Sequence, residues 1–446
     1  MKYVETDITE RLDALPWTGR HTMFLVALGI TWILDAFEVV IVGNVLKIMS
    51  QSLNLSTLQA SLMVSGFLIG AIFGSFLFGY LADRFGRKKV FIITLLMYSL
   101  GTFLTGFSWD FYSAFAMRVV AGAGIGGEFA AIHSAIDEFI PSRHRGKVDG
   151  LIVASWNVGS LLASFTALYL VRSIPEEWAW RVAFYLGGII ALLIAVVRRY
   201  VPESPRWLLS RGKYDEAEKI IKSLEAIAGV QNSSSKRKIP VFEGNLIDGL
   251  KEIFKKYKWR FLFASSMSFT VLTTYYGIIT LIPVSIAPSF NLSSEEISKI
   301  FIIGSIGGLI GGIVIAIMSD VLGRKTTGIS VSLLSVLSTV ALLTADDFMT
   351  AYYFYSFTAF SFASVAYVSA MEIFPSYIRS TAIGMISIIG RVSGVGAPPL
   401  LVYLSDKSYE YGILGLLGLW IVGLIAFITW GIFGVEAGKR SIEDIT

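Results

Sequence analysis

The chain has 446 residues, of which 54% are hydrophobic and only 16% charged, with a mean hydropathy of +0.67 and a formal net charge of +4. Soluble domains carry about a quarter charged residues, so lipid is the expected solvent, and so small a net charge does not indicate a nucleic-acid partner. There are no cysteines and only three histidines, which excludes disulfides, thiol catalysis and thiolate metal sites.

The first 20 residues are polar and of mixed charge, unlike a cleavable signal. A bilayer core needs about 20 apolar residues as a helix. Twelve such runs follow, near 21–46, 58–81, 88–108, 112–137, 146–170, 180–198, 260–286, 296–320, 325–344, 350–373, 380–404 and 412–434. Bases cluster at alternate ends: Arg84, Arg87, Lys88 and Lys89; Arg143, Arg145 and Lys147; Arg324 and Lys325; Arg379; Lys439 and Arg440. The other ends carry acids: Asp110, Glu176, Glu177, Glu295, Glu296, Asp346 and Asp347. The positive-inside rule then places both termini in the cytoplasm of a multi-pass plasma-membrane protein.

In the first span, Trp32-Ile-Leu-Asp35-Ala-Phe37-Glu38 puts two carboxylates three residues apart on one helix face. Ionisable groups at bilayer depth are costly and mark function, and a close acid pair suits proton carriage. The plain alternative is one acid paired structurally with a nearby Arg. Arg118, two turns into the fourth span, is the expected neutraliser of these acids, as a switch or as a permanent salt bridge. Glu128 follows Gly124-Ile-Gly126-Gly127 and is a second proton or substrate site. His133, further in, reads as a helix–helix contact.

Residues 199–259 interrupt the apolar pattern and read as a cytoplasmic linker, helical near Tyr214–Leu224 and flexible near 231–239. They separate an N-terminal bundle, 1–198, from a C-terminal bundle, 260–446. In the second half, Arg391 lies mid-span in Gly390-Arg391-Val-Ser-Gly-Val-Gly-Ala-Pro398. A guanidinium there suits a substrate carboxylate, which it can grip with two parallel hydrogen bonds; otherwise it holds a neighbour on the first or seventh membrane helix. Phe37, Trp156, Asn157, Tyr275, Tyr276 and Tyr367 are softer candidates, equally readable as packing. The glycine runs Gly122, Gly124, Gly126, Gly127 and Gly304, Gly307, Gly308, Gly311, Gly312 read as close helix packing, and no Walker motif is present.

The halves repeat. Asp83-Arg-Phe-Gly-Arg87-Lys recurs as Asp320-Val-Leu-Gly-Arg324-Lys, and Glu138-x-x-Pro141-x-x-x-Arg145 recurs as Glu372-x-x-Pro375-x-x-x-Arg379, at nearly one spacing. Such repeats imply two bundles rocking about a central site. Gly79-Tyr-Leu-Ala-Asp83-Arg-Phe-Gly-Arg87-Lys resembles the loop motif of the major facilitator superfamily. Pro202-Glu203-Ser204-Pro205-Arg206-Trp207-Leu208-Leu209 is similar to the segment after the sixth helix in sugar porters, organic-ion transporters and synaptic-vesicle-protein relatives. The acid-x-x-acid of the first span resembles that of aromatic-acid proton symporters, Gly-Gly-acid at Glu128 that of phosphate and metabolite proton symporters, and Arg391 that of organic-anion transporters.

The resemblance, spanning 20–440, implies an all-α fold of two pseudo-symmetric six-helix bundles. It also implies that Asp83, Arg87, Glu138, Arg145, Glu203, Arg206, Asp320, Arg324, Glu372 and Arg379 form a cytoplasmic gate pairing across the bundles; the plain alternative is topology anchoring with ordinary surface pairs. The expected function is proton-coupled symport of a small organic anion, with Asp35, Glu38, Arg118 and Glu128 coupling protons and Arg391, Asn157, Tyr275, Tyr276 and Phe37 binding substrate. A sugar porter is the alternative. No enzyme activity, cofactor, metal or nucleic-acid partner is expected, and a monomer is expected to suffice.

Overall fold

The computed structural model describes residues 2–434 apart from 86, 141, 199–207, 209–212, 231–236, 242–245, 345 and 375. Twelve long helices dominate: α2 (Gly19–Ser52), α3 (Thr57–Phe85), α4 (Arg87–Thr105), α5 (Phe111–Phe139), α6 (Ser142–Ser173), α7 (Glu176–Arg198), α10 (Lys258–Leu281), α11 (Ser294–Leu322), α12 (Arg324–Thr344), α13 (Phe348–Glu372), α14 (Ser376–Ser405) and α15 (Tyr409–Phe433). Each falls on one apolar run of the sequence, and most extend a few residues into its polar flanks. Among the described residues, seven helices are long and apolar enough to cross a membrane, and Ile92–Thr105 and Phe111–Gly126 are shorter apolar stretches.

Local sequence sets the ends. The Ser293 hydroxyl accepts from the Glu296 amide while Glu296 reaches back to the Ser293 amide, a reciprocal cap that starts α11. Asp347 caps α13 at the Met349 amide, 3.0 Å away. Gly229, at φ 66°, closes the linker helix α8 (Tyr214–Ala228) in a left-handed conformation that favours glycine. Pro283 lies in a π-helical turn, Ile282–Ile286, through which α10 continues to Ser289. Such bulges release the strain of a missing amide donor within a helix.

The packing repeats between halves. α3 packs on α5 as α11 packs on α13; α2 on α6 as α10 on α14; α4 on α7 as α12 on α15. Between the halves, α6 packs on α11 and α3 on α14. These are the two pseudo-symmetric six-helix bundles of the major facilitator fold. Close approach rests on small residues. A Cβ on Gly122 of α5 would lie 1.9 Å from the Phe67 carbonyl of α3, and one on Gly70 would lie 2.0 Å from that of Val119.

The linker is more structured than its composition suggests. Helix α8 buries Ala217, Ile221 and Leu224, spaced i, i+4, i+7, against Ile8, Leu12 and Leu15 of the N-terminal segment, where α1 is Ile8–Ala14. Arg11 bridges Glu225 at 2.6 Å and Glu218 at 2.9 Å. Residues 237–239, expected to be flexible, belong to strand β2 (Arg237–Val241), antiparallel to β1 (Lys2–Thr6) with Lys2 opposite Val241. The pairing partner lies more than 230 residues away, so no local pattern announces it. Helix α9 (Leu246–Lys256) packs against α14 and α10.

Candidate functional site

The face carrying α8 and β2 is the linker face, and its opposite the far face. The two carboxylates of α2 do not share an environment. Glu38 is fully buried and ion-paired with Arg118 of α5, itself 1% exposed. The guanidinium lies over the rings of Phe67 (α3) at 4.5 Å and Phe184 (α7) at 5.8 Å. The pair thus sits in the interior of the N-terminal bundle, enclosed by five helices, with Thr102 of α4 alongside. Glu38 Oε2 and Arg118 Nε are buried with no hydrogen-bond partner. Desolvating two charges costs several kcal/mol apiece, which a single contact barely offsets.

Asp35, also buried, stands within electrostatic reach of Tyr276 (α10) and Arg391 (α14) of the other bundle. Arg391 crosses the bundle boundary, donating to the Ser75 hydroxyl and to the Ala71 carbonyl of α3, 3.3 Å away. Tyr276 and Tyr367 flank it. Its hydrogen bonds therefore tie α14 to α3, with Asp35 of the first membrane helix and Tyr276 of the seventh also within reach.

An aromatic group continues from Tyr276 along the boundary. Tyr276 meets Tyr275 edge-on at 5.3 Å, Tyr275 meets Phe360 at 5.8 Å and Trp156 at 6.0 Å, and Trp156 meets Trp32 at 5.6 Å. Trp156 Nε1 donates to the Tyr275 hydroxyl at 2.8 Å, α6 to α10. Asn157 buries an unpartnered Oδ1 beside Gly308 and Phe360. Phe37, by contrast, lies beside Gly187 of α7, inside its own bundle.

The structure therefore brings Asp35, Asn157, Tyr275, Tyr276 and Arg391 to the boundary and sets Glu38, Arg118 and Phe37 behind it. Of the charged gate positions, Arg324 and Glu372 are described. They form a double hydrogen bond, 3.1 Å each, with Arg324 also donating to the Ser319 carbonyl at 2.8 Å. Both belong to the C-terminal bundle, so this pair joins α12 to α13 rather than bridging the bundles. Glu203 and Arg206 lie outside the described residues, as do the side chains of Asp83, Arg87, Glu128, His133, Glu138, Arg145, Asp320 and Arg379.

Sequence reasoning passed over Trp32, Ser75 and Phe360, which look like ordinary membrane-helix residues. It also passed over Lys47 and Arg172. Their signal is legible: they are bases on the acid-rich far face, against the charge rule.

Two repeated six-helix bundles with ionisable groups buried at their centre define a multi-pass membrane transporter of the major facilitator superfamily, and its family and relatives are transporters, not enzymes. Residues 36–446 match the model of the sugar (and other) transporter family, and the chain belongs to it. It is 29% identical to a niacin transporter of Acinetobacter baylyi, over 98% of this chain and 99% of the relative. It is 26% identical to an inner membrane metabolite transport protein of Escherichia coli, over 94% and 93%. The inward-open structure of the E. coli xylose transporter superposes with a TM-score of 0.74 at 18% identity, covering 95% of this chain and 98% of that one. The substrate is a small molecule.

Proposed function

We propose that the protein is a proton-coupled symporter of a small organic anion, working by alternating access between cytoplasm and exterior, with both termini and the linker cytoplasmic. The buried Glu38–Arg118 pair carries this reading. An ion pair with unfilled hydrogen-bonding capacity, walled off by Phe67 and Phe184, is poised to be resolved by a proton on Glu38. Neutralising Glu38 releases Arg118 and alters how α2 and α5 hold together, which couples proton binding to rocking. Asp35 relays charge to the boundary, and Arg391 exchanges its Ser75 and Ala71 partners for the substrate carboxylate. The niacin carried by the Acinetobacter relative is itself a carboxylate.

A sugar porter is the second reading, favoured by the family match and by the hydrogen-bonding group of Asn157, Trp156 and Tyr275. Uptake into proteoliposomes with an imposed inward proton gradient separates the two. Labelled carboxylates that enter, with uptake collapsing on adding a protonophore and in Arg391→Ala, support the anion reading. Sugar uptake indifferent to Arg391 supports the other. Accumulation that persists with both Asp35→Asn and Glu38→Gln in place removes the coupling assignment.

A further inference from the structure

The described hydrogen bonds between bundles run from mid-membrane to the far face. Toward that face Gly43 of α2 approaches Ile279 and Phe301, and the Ser65 hydroxyl of α3 donates to the Val395 carbonyl of α14 at 2.8 Å. At the rim, two cations of the N-terminal bundle converge on one short turn of the C-terminal bundle. Lys47 Nζ, near the end of α2, donates to the Leu292 carbonyl at 2.5 Å. Arg172, near the end of α6, donates to Glu295 at 2.5 Å.

That turn is unusually well held. It follows the π-helical turn of α10, passes through Asn291 at φ 51°, and enters α11 through the reciprocal Ser293–Glu296 cap. Lys299 steadies Glu295 from one turn further along, at 2.7 Å. A fixed carbonyl and a fixed carboxylate thus stand ready for two cations from two different helices. Among the described residues neither cation is ion-paired with an acid of its own bundle at this rim, and both lie on the face where bases are scarce.

We infer that the 291–296 turn, gripped by Lys47 and Arg172, is the latch that holds the far side of the transporter closed, and that breaking these contacts is a required step in opening toward that side. The inference rests on the alternating-access reading above. A charged hydrogen bond exchanges for solvation when the rim opens, so its loss shifts the population toward the open state by the energy of that bond alone. Lys47 matters more than Arg172, because it is partly buried while the Arg172 pair is open to solvent.

The absence of native cysteines provides the test. With Ser65→Cys as the sole thiol, buried in the closed seam, labelling by a membrane-impermeant maleimide reports far-side opening. Lys47→Met should raise the labelling rate about ten-fold, and Lys47→Arg should return it toward the parent rate. Arg172→Glu should raise it by a smaller factor, and adding Glu295→Arg should bring it back down. Unchanged labelling in both Lys47→Met and Arg172→Glu overturns the latch, as does a charge-swapped pair that labels as fast as Arg172→Glu. Faster labelling together with no transport of any carboxylate or sugar leaves the latch standing and removes the transport reading, so the two fail separately.

Discussion

Asp35 and Glu38 are three residues apart on α2 and serve opposite bundles: Glu38 pairs with Arg118 inside its own, while Asp35 lies in the field of Arg391 and Tyr276 across the boundary. One helix thus sends one carboxylate into its own bundle and one to the boundary with the other bundle.

Separation of these roles is the first prediction. Removing one member of a buried pair strands the other, so Arg118→Met should cost about 3–5 kcal/mol of stability. Glu38→Gln should cost less, because a carboxamide still accepts from the guanidinium. Thermal unfolding in detergent ranks the two. Equal losses contradict the pairing.

Arg391 should be tolerated structurally and costly functionally. Its hydrogen bonds to α3 go to a carbonyl and a hydroxyl, which water can replace once the bundles part. Arg391→Ala should raise the half-saturation constant for a carboxylate about 10- to 100-fold, the worth of a charge-assisted hydrogen bond or a bidentate pair, while leaving the thermal midpoint within a few degrees. Concentration dependence of initial uptake rates checks this.

The N-terminal segment should behave as part of the linker. Arg11 is held further above its ordinary range by Glu225 first and then by Glu218, so it stays charged at any working pH. Arg11→Ala should loosen α1 and β1 by about 1.5–3 kcal/mol, seen as faster hydrogen exchange in Lys2–Thr6 with the membrane helices unchanged. Arg11→Glu combined with Glu225→Arg should restore much of the protection.

Close packing at glycine should be stricter than any charge effect. Gly70→Val and Gly122→Val place side-chain atoms inside van der Waals contact of opposing backbone, where nothing flexible can move aside. Both should abolish recovery of folded protein. Gly384, with nothing within 4 Å of its would-be Cβ, should accept Ala, and size-exclusion recovery distinguishes the cases.

The far-face caps should not contribute to the pH dependence of transport. Asp347 is held below its ordinary value by the Thr350 hydroxyl first and then by backbone amides. A depressed carboxylate contributes stability that is present above its unfolded value and lost as pH falls through the folded one. That window lies below pH 4, so the contribution is constant between pH 5 and 8. The uptake profile of Asp347→Asn should therefore parallel that of the parent.

Much of the fold is legible in the sequence because lipid demands it. A twenty-residue apolar run has few ways to satisfy its backbone in a bilayer, so all twelve helices fall on the runs that announce them. The recurrence of Asp83-to-Lys88 at Asp320-to-Lys325 likewise reports the two-bundle repeat. Charges at bilayer depth mark Asp35, Glu38, Arg118 and Arg391, but not their partners. A three-residue spacing puts Asp35 and Glu38 on one face, yet an adjacent pair of side chains can still diverge toward different helices, and only packing decides that. The β1–β2 ribbon, the Arg391–Ser75 bridge and the Lys47–Leu292 contact each join residues more than 200 positions apart. Such pairings follow from the way bundles dock, and no periodicity records them.

The most direct test of the account is whether substrate carries protons with it through Glu38. Liposomes loaded with a pH-sensitive dye, without an imposed gradient, should acidify inside on addition of an external carboxylate substrate. With Glu38→Gln, acidification should disappear while exchange of labelled for unlabelled substrate continues. Substrate entry without acidification in the parent protein, or undiminished acidification with Glu38→Gln, contradicts it.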